Sequence, residues 1–197
     1  MKIKFLGTDI YISFLFAAVI AFMLATDRSG LSLPTLFAAF IHESGHLLAM
    51  WASDSQPKAI RLIPASVQII RELPLKRGTG AAVSLCGPAA NIVVFLSLFV
   101  NFYFFKNETA LTFGILNLIL AVFNLLPVYG LDGGDLLCML LSKNGDFYKA
   151  QRSVKIITGI FATVAFLAGV WLWASGNLNI SVFIIAVYLV ICCTLKS

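Results

Sequence analysis

Pro34-Thr35-Leu36-Phe37-Ala38-Ala39-Phe40-Ile41-His42-Glu43-Ser44-Gly45-His46-Leu47-Leu48-Ala49-Met50 sets an HExxH pattern in the middle of an apolar run. Residues four apart share one face of an α-helix, so His42 and His46 can turn their imidazoles toward a single ion, at the roughly 2.0 to 2.1 Å typical of zinc and nitrogen. Glu43, beside the first histidine, is suited to take a proton from an attacking water. His42 and His46 are the only histidines of the chain, so the spacing is not drawn from a scatter of imidazoles. The alternative is a pair of hydrogen-bonded core histidines beside a buried acid, a costly arrangement in lipid without a partner.

Outward from this run the chain remains apolar. Of its 197 residues 60% are hydrophobic, and the mean hydropathy is +0.95, far above an ordinary soluble domain. Uncharged runs cover 10 to 26, 29 to 41, 78 to 105, 109 to 131 and 156 to 195. A spanning helix needs about 20 mostly apolar residues. The last run is long enough for two, divided at Ala174-Ser175-Gly176-Asn177. The expectation is an all-α polytopic membrane protein with about six transmembrane helices, at 10 to 26, 34 to 52, 80 to 104, 110 to 126, 154 to 174 and 180 to 195. Between Pro34 and His42 a helix rises about 12 Å, and from His46 to Trp51 about 7 Å, which puts the HExxH pattern well inside the bilayer.

The net charge of +5 does not point to nucleic acid, because the basic residues are segregated. With a cytoplasmic N-terminus, 12 of the 14 basic residues fall inside and only Arg28 and Lys106 fall outside. Both termini are expected in the cytoplasm. Lys2 and Lys4 precede an apolar stretch without a convincing cleavage site, so that stretch reads as a retained span. The expected organisation is one transmembrane domain over 1 to 197. Cys86, Cys138, Cys192 and Cys193 form no metal-binding spacing and read as small apolar packing residues.

Two stretches between spans are longer than a turn. Residues 57 to 75 carry Ile60-Arg61-Leu62 and Val67-Gln68-Ile69 around Pro64, which predicts a small β-hairpin after the zinc-motif helix. Its edge could accept an extended peptide, or it could be an ordinary surface hairpin. The second stretch begins Pro127-Val128-Tyr129-Gly130-Leu131-Asp132-Gly133-Gly134, rich in helix breakers. A catalytic zinc takes three protein ligands, and with no third histidine the third is expected to be acidic. Asp132 is the best placed of the aspartates: the flanking glycines allow close approach, and Pro127 and Gly130 can unwind the chain at membrane depth. Taken alone, Asp132 could equally be a turn or helix-cap residue.

His42-Glu43-Ser44-Gly45-His46, Gly87-Pro88-Ala89-Ala90-Asn91 and Asn124-Leu125-Leu126-Pro127-Val128-Tyr129-Gly130-Leu131-Asp132-Gly133 together resemble, in order, the motifs of the site-2 proteases, intramembrane metalloproteases of peptidase family M50. The resemblance implies one zinc ion held by His42, His46 and Asp132, with Glu43 activating water and Asn124 and Asn91 contacting the substrate. It implies hydrolysis of a peptide bond in or near a transmembrane segment of a membrane-bound substrate, in the bacterial cytoplasmic membrane and under a regulatory membrane partner. The subgroup it is most similar to is the sporulation type, which acts on a membrane-associated pro-sigma factor; anti-sigma factors are the other substrate class implied. Gly130 stands where that pattern more often has proline, and no separate PDZ or CBS domain is expected within residues 1 to 197. The contrasting expectation is a non-catalytic metal-binding regulatory membrane protein, against which the intact Glu43 speaks.

Overall fold

The computed structural model describes residues 2–5, 8–55, 57–63, 66–70, 77–142, 146–176, 183–184 and 187–190. The chain divides into two compact units, Met1–Phe123 and Asn124–Ser197.

The first unit opens with strands β1 (Lys2–Phe5) and β2 (Thr8–Ile12), followed by helices α1 (Phe14–Thr26) and α2 (Ser32–Ala52). Strands β3 (Ala59–Ile63) and β4 (Ser66–Ile70) come next, then the long helix α3 (Arg77–Phe105) and helix α4 (Glu108–Asn124), whose last residue belongs to the second unit. The strands form one sheet in the order β1-β2-β3-β4. β1 and β2 pair antiparallel, β2 and β3 parallel, and β3 and β4 antiparallel with Arg61 opposite Gln68. The parallel pair sets Tyr11 opposite Arg61, and the guanidinium lies 5.9 Å from the ring centroid, a cation–π contact across the strands.

The expected hairpin after the zinc-motif helix is therefore present, but as half of a larger sheet. Residues 10 to 12, expected at the start of a first span, belong to β2, and α1 begins only at Phe14. The reason lies in the alternation of Lys2-Ile3-Lys4-Phe5 and Thr8-Asp9-Ile10-Tyr11-Ile12, a period of two that suits a pleated strand once β3 offers an edge to pair with. The expected all-α architecture with one small hairpin is thus corrected to a mostly helical one with a four-stranded sheet. Pro64, expected in the hairpin turn, lies outside the described residues.

α2 begins under a cap supplied from four residues upstream of Leu31. The Asp27 carboxylate accepts the N–H groups of Ser29 at 2.8 Å, Gly30 at 3.1 Å and Ser32 at 2.9 Å, and the Ser29 hydroxyl at 2.7 Å. The orphan Ser32 N–H at the helix start is satisfied, and Pro34 sits in the first turn, where its missing N–H costs little. The buried stripe of α2 is Ala38, His42, Gly45, His46 and Met50, and α2 packs against α3.

Among the described residues, two helices, Gly78–Phe105 and Phe147–Ala174, are long and apolar enough to cross a membrane, while the apolar helices Phe14–Thr26 and Glu108–Asn124 are shorter. Phe14 on α1 is 89% exposed and no residue of that helix is buried, an outward face that suits lipid rather than water. Most of the sixth expected span, 180 to 195, and Cys192 and Cys193 lie outside the described residues.

The second unit contains α5 (Asp132–Leu141) and α6 (Phe147–Ala174). Its core gathers Tyr129, Cys138, Ala150 and Val154, with Leu137 packed against them. α6 ends at Ala174, and Gly176 adopts a φ of +78°, so the chain turns where the polar interruption predicts.

Candidate metal centre

His42 and His46 lie one turn apart on the buried stripe of α2, 5% and 7% exposed. Their rings stand nearly perpendicular, at 83°, with the two Nε2 atoms 3.1 Å apart. The Nδ1 of His46 lies 2.7 Å from the carbonyl oxygen of Val83 on α3. A carbonyl can only accept, so Nδ1 carries the ring proton of neutral His46 and the lone pair sits on Nε2, the atom turned toward His42. Two nitrogens on a tetrahedral zinc lie about 3.3 Å apart, close to this spacing. Glu43, half-buried, follows His42 on α2.

The facing surface of α3 reads Val83, Ser84, Gly87, Pro88 and Asn91, all buried and repeating at helical spacing. This is the Gly87-Pro88-Ala89-Ala90-Asn91 element of the sequence seen as one helix face. A Cβ placed on Gly87 would come within 2.5 Å of His46 Cε1 and 3.0 Å of His42 Nε2. A Cβ on Gly45 would meet the Cys86 carbonyl oxygen at 2.5 Å. Asn91 is fully buried, and among the described residues its amide nitrogen and oxygen have no hydrogen-bond partner. Buried amides are rarely left so, which makes Asn91 a group still open to a ligand.

In the second unit, Asn124 is the half-buried last residue of α4, and residues 125 to 131 leave the helix, as Pro127 and Gly130 lead one to expect. Val128 N–H bonds back to Leu126 O at 2.7 Å, Gly130 takes a φ of +95°, and α5 begins at Asp132. The α5 backbone closes tightly on the unwound segment. Side chains at Gly133 and Gly134 would collide with the carbonyl groups of Leu125 and Val128, so both positions require glycine for close approach.

One contributor was not visible as a site residue in the sequence. The buried Thr158 hydroxyl on α6 donates to Val154 O at 2.9 Å and accepts the N–H of Tyr129 at 2.7 Å, tying down the segment that leads into Asp132. Gln151 donates to the Tyr129 hydroxyl, and Lys155 lies 4.9 Å from its ring centroid. Thr158 gives no local signal, because a threonine within an apolar helix usually bonds only its own backbone.

Within the first unit His42 and His46 offer two imidazole nitrogens, and within the second Asp132 opens α5 with a carboxylate. Two imidazole nitrogens and one carboxylate oxygen are a donor set suited to zinc with a fourth position open.

The sequence model of Peptidase family M50 matches residues 106–168. A zinc metalloprotease of Methanocaldococcus jannaschii is 26% identical over 179 residues, covering 85% of this chain and 52% of that protein. Stage IV sporulation protein FB of Bacillus subtilis is 29% identical over 179 residues, covering 88% of this chain and 60% of that protein. The chain thus spans between about half and three-fifths of the length of these relatives. Among solved structures, the site-2 protease from Methanocaldococcus jannaschii superposes with a TM-score of 0.73 at 22% identity, covering 98% of this chain and 93% of the other.

Proposed function

We propose that this chain, which matches Peptidase family M50 over residues 106–168 and shares the fold of a site-2 protease, is an intramembrane zinc metalloprotease of that family. Its substrate is a membrane-bound protein, cut at a peptide bond in or near a transmembrane segment. The observation that carries this reading is the convergence of His42 and His46 Nε2 on the buried stripe of α2, with Glu43 beside them.

In this reading His42, His46 and Asp132 hold the ion. A zinc ion held there supplies Lewis-acid polarisation of the scissile carbonyl and a more acidic water. Glu43 takes the proton of the attacking water and passes it to the leaving amine, so the water oxygen joins the carbonyl carbon as the C–N bond breaks. Asn91 and Asn124 offer amide donors to the substrate carbonyl and to the unwound backbone around it. A helical substrate hides its own carbonyls, so the segment must be extended before cleavage. β4 supports this step: it ends the sheet order, so its outer edge has no partner strand among the described residues and can pair with an extended peptide.

The basic-residue asymmetry supports a multi-pass protein of the bacterial cytoplasmic membrane with both termini in the cytoplasm. The whole chain is proposed to act as one transmembrane protease domain. The narrower reading, a pro-sigma or anti-sigma factor as substrate in sporulation under a regulatory membrane partner, rests on the sporulation-type resemblance.

Reconstitution tests the proposal. Purified protein in lipid vesicles with a single-span peptide substrate should produce two fragments, lose the activity to a chelator and regain it on adding zinc. Cleavage that continues after the metal has been stripped contradicts the reading.

A further inference from the structure

We propose that Gly87 is a positioning residue: it forms a notch in α3 that seats the His46 imidazole, with the Val83 carbonyl at one wall fixing the ring tautomer. The inference rests on the reading of His42 and His46 as zinc ligands and extends it to the opposite helix.

Three observations meet at this point. The His46 ring is so close to α3 that even a methyl group at position 87 would fall on it, with Cε1 at 2.5 Å. The same methyl would stand 3.0 Å from His42 Nε2, so both imidazoles border the space that Gly87 leaves open. His46 Nδ1 bonds to Val83 O at 2.7 Å, and Val83 lies four residues before Gly87. Helical side chains point back toward the N-terminus, so a side chain at 87 would lie over the turn that carries the Val83 carbonyl. One glycine therefore does two things. It makes room for the ring, and it leaves bare the carbonyl that takes the ring's Nδ1 proton.

Pro88 works on the same turn. It lies inside α3 and has no N–H to give the Ser84 carbonyl, so the helix lacks one backbone bond beside the notch. The arrangement is reciprocal, since Gly45 on α2 lies directly over the Cys86 carbonyl. The Nδ1 side of the His46 ring is thus held from α3. A partner that orients a ligating histidine through its second nitrogen typically changes metal affinity about 10- to 100-fold when lost.

The test uses the full chain purified in detergent and measures zinc affinity by competition with a chromophoric chelator, together with the visible spectrum of the cobalt-loaded protein. Gly87→Ala should weaken zinc about 10- to 100-fold and alter the cobalt bands. Gly78→Ala, on the same helix with nothing within 4 Å of the added methyl, should match the wild type in both. A second measurement holds even where Gly87→Ala binds no metal because it folds poorly. The loss of Tm caused by Gly87→Ala should be much smaller in a His46→Ala background, where the ring it strikes is gone. Unchanged zinc affinity and cobalt spectrum in Gly87→Ala, or an equal loss of Tm with and without His46, overturns the notch. A wild type that binds no zinc sinks the metal reading instead, and the coupling between positions 87 and 46 still decides the notch.

Discussion

The His46 imidazole donates its Nδ1 proton to the Val83 carbonyl across the α2–α3 interface, at 2.7 Å. The consequence is chemical. With Nδ1 committed, the only basic nitrogen of the ring is Nε2, 3.1 Å from its counterpart on His42. Two buried imidazoles on one helix, one of them already fixed in the ligating tautomer, support the proposed reading of an ion site over one of simple packing.

In the proposed function the Asp132 carboxylate is the third zinc donor. Asp132→Ala should leave the protein folded but weaken zinc by at least about 10-fold, read by chelator competition, and Asp132→Glu should recover less than the full affinity because its longer arm misplaces the oxygen. Full zinc affinity in Asp132→Ala would assign the third position to another residue.

Thr158 holds the segment before Asp132 through the buried Tyr129 N–H. Thr158→Val keeps the shape and removes the acceptor, leaving a buried donor unsatisfied. Unfolding in detergent should show a loss of about 1 to 3 kcal/mol. Thr158→Ser should be milder, since its hydroxyl can make the same bond. Equal losses in the two variants would mean that the methyl, not the hydroxyl, is what matters.

Asp27 gives a pH-dependent contribution to the start of α2. Hydrogen bonds from Ser29 and Ser32 lower its carboxyl from 3.8 to about 2. The bonds stabilise the ionised form, so their contribution is present above pH 4 and is lost as pH falls through about 2. Asp27→Ala should therefore lower Tm at pH 7, and its difference from the wild type should shrink steadily as the pH is taken down from 4 toward 2. A difference independent of pH over that range would rule out the charge as the cause.

Much of the site was legible because its chemistry sits in short patterns. The i, i+4 spacing of His42 and His46 puts both rings on one helix face wherever that helix packs, and Pro127 and Gly130 disrupt a helix in almost any context. Gly87 was legible as a small residue but not as the bed of an imidazole, because that depends on which face of α3 meets α2. Thr158 was silent for the same reason, since its acceptor role needs Tyr129 from 29 residues away. The alternation in Lys2–Phe5 and Thr8–Ile12 was present in the sequence, yet the apolar content after Ile10 favoured a span. What decides in favour of strands is the β3 edge, reached only after two intervening helices.

The most direct test of the central claim pairs two readings on Glu43→Gln. In vesicles with the single-span substrate, this variant should keep its zinc and cleave at least about 100-fold more slowly than the wild type, since the amide cannot take the water's proton. Cleavage at the wild-type rate by the zinc-loaded Glu43→Gln protein would contradict the account.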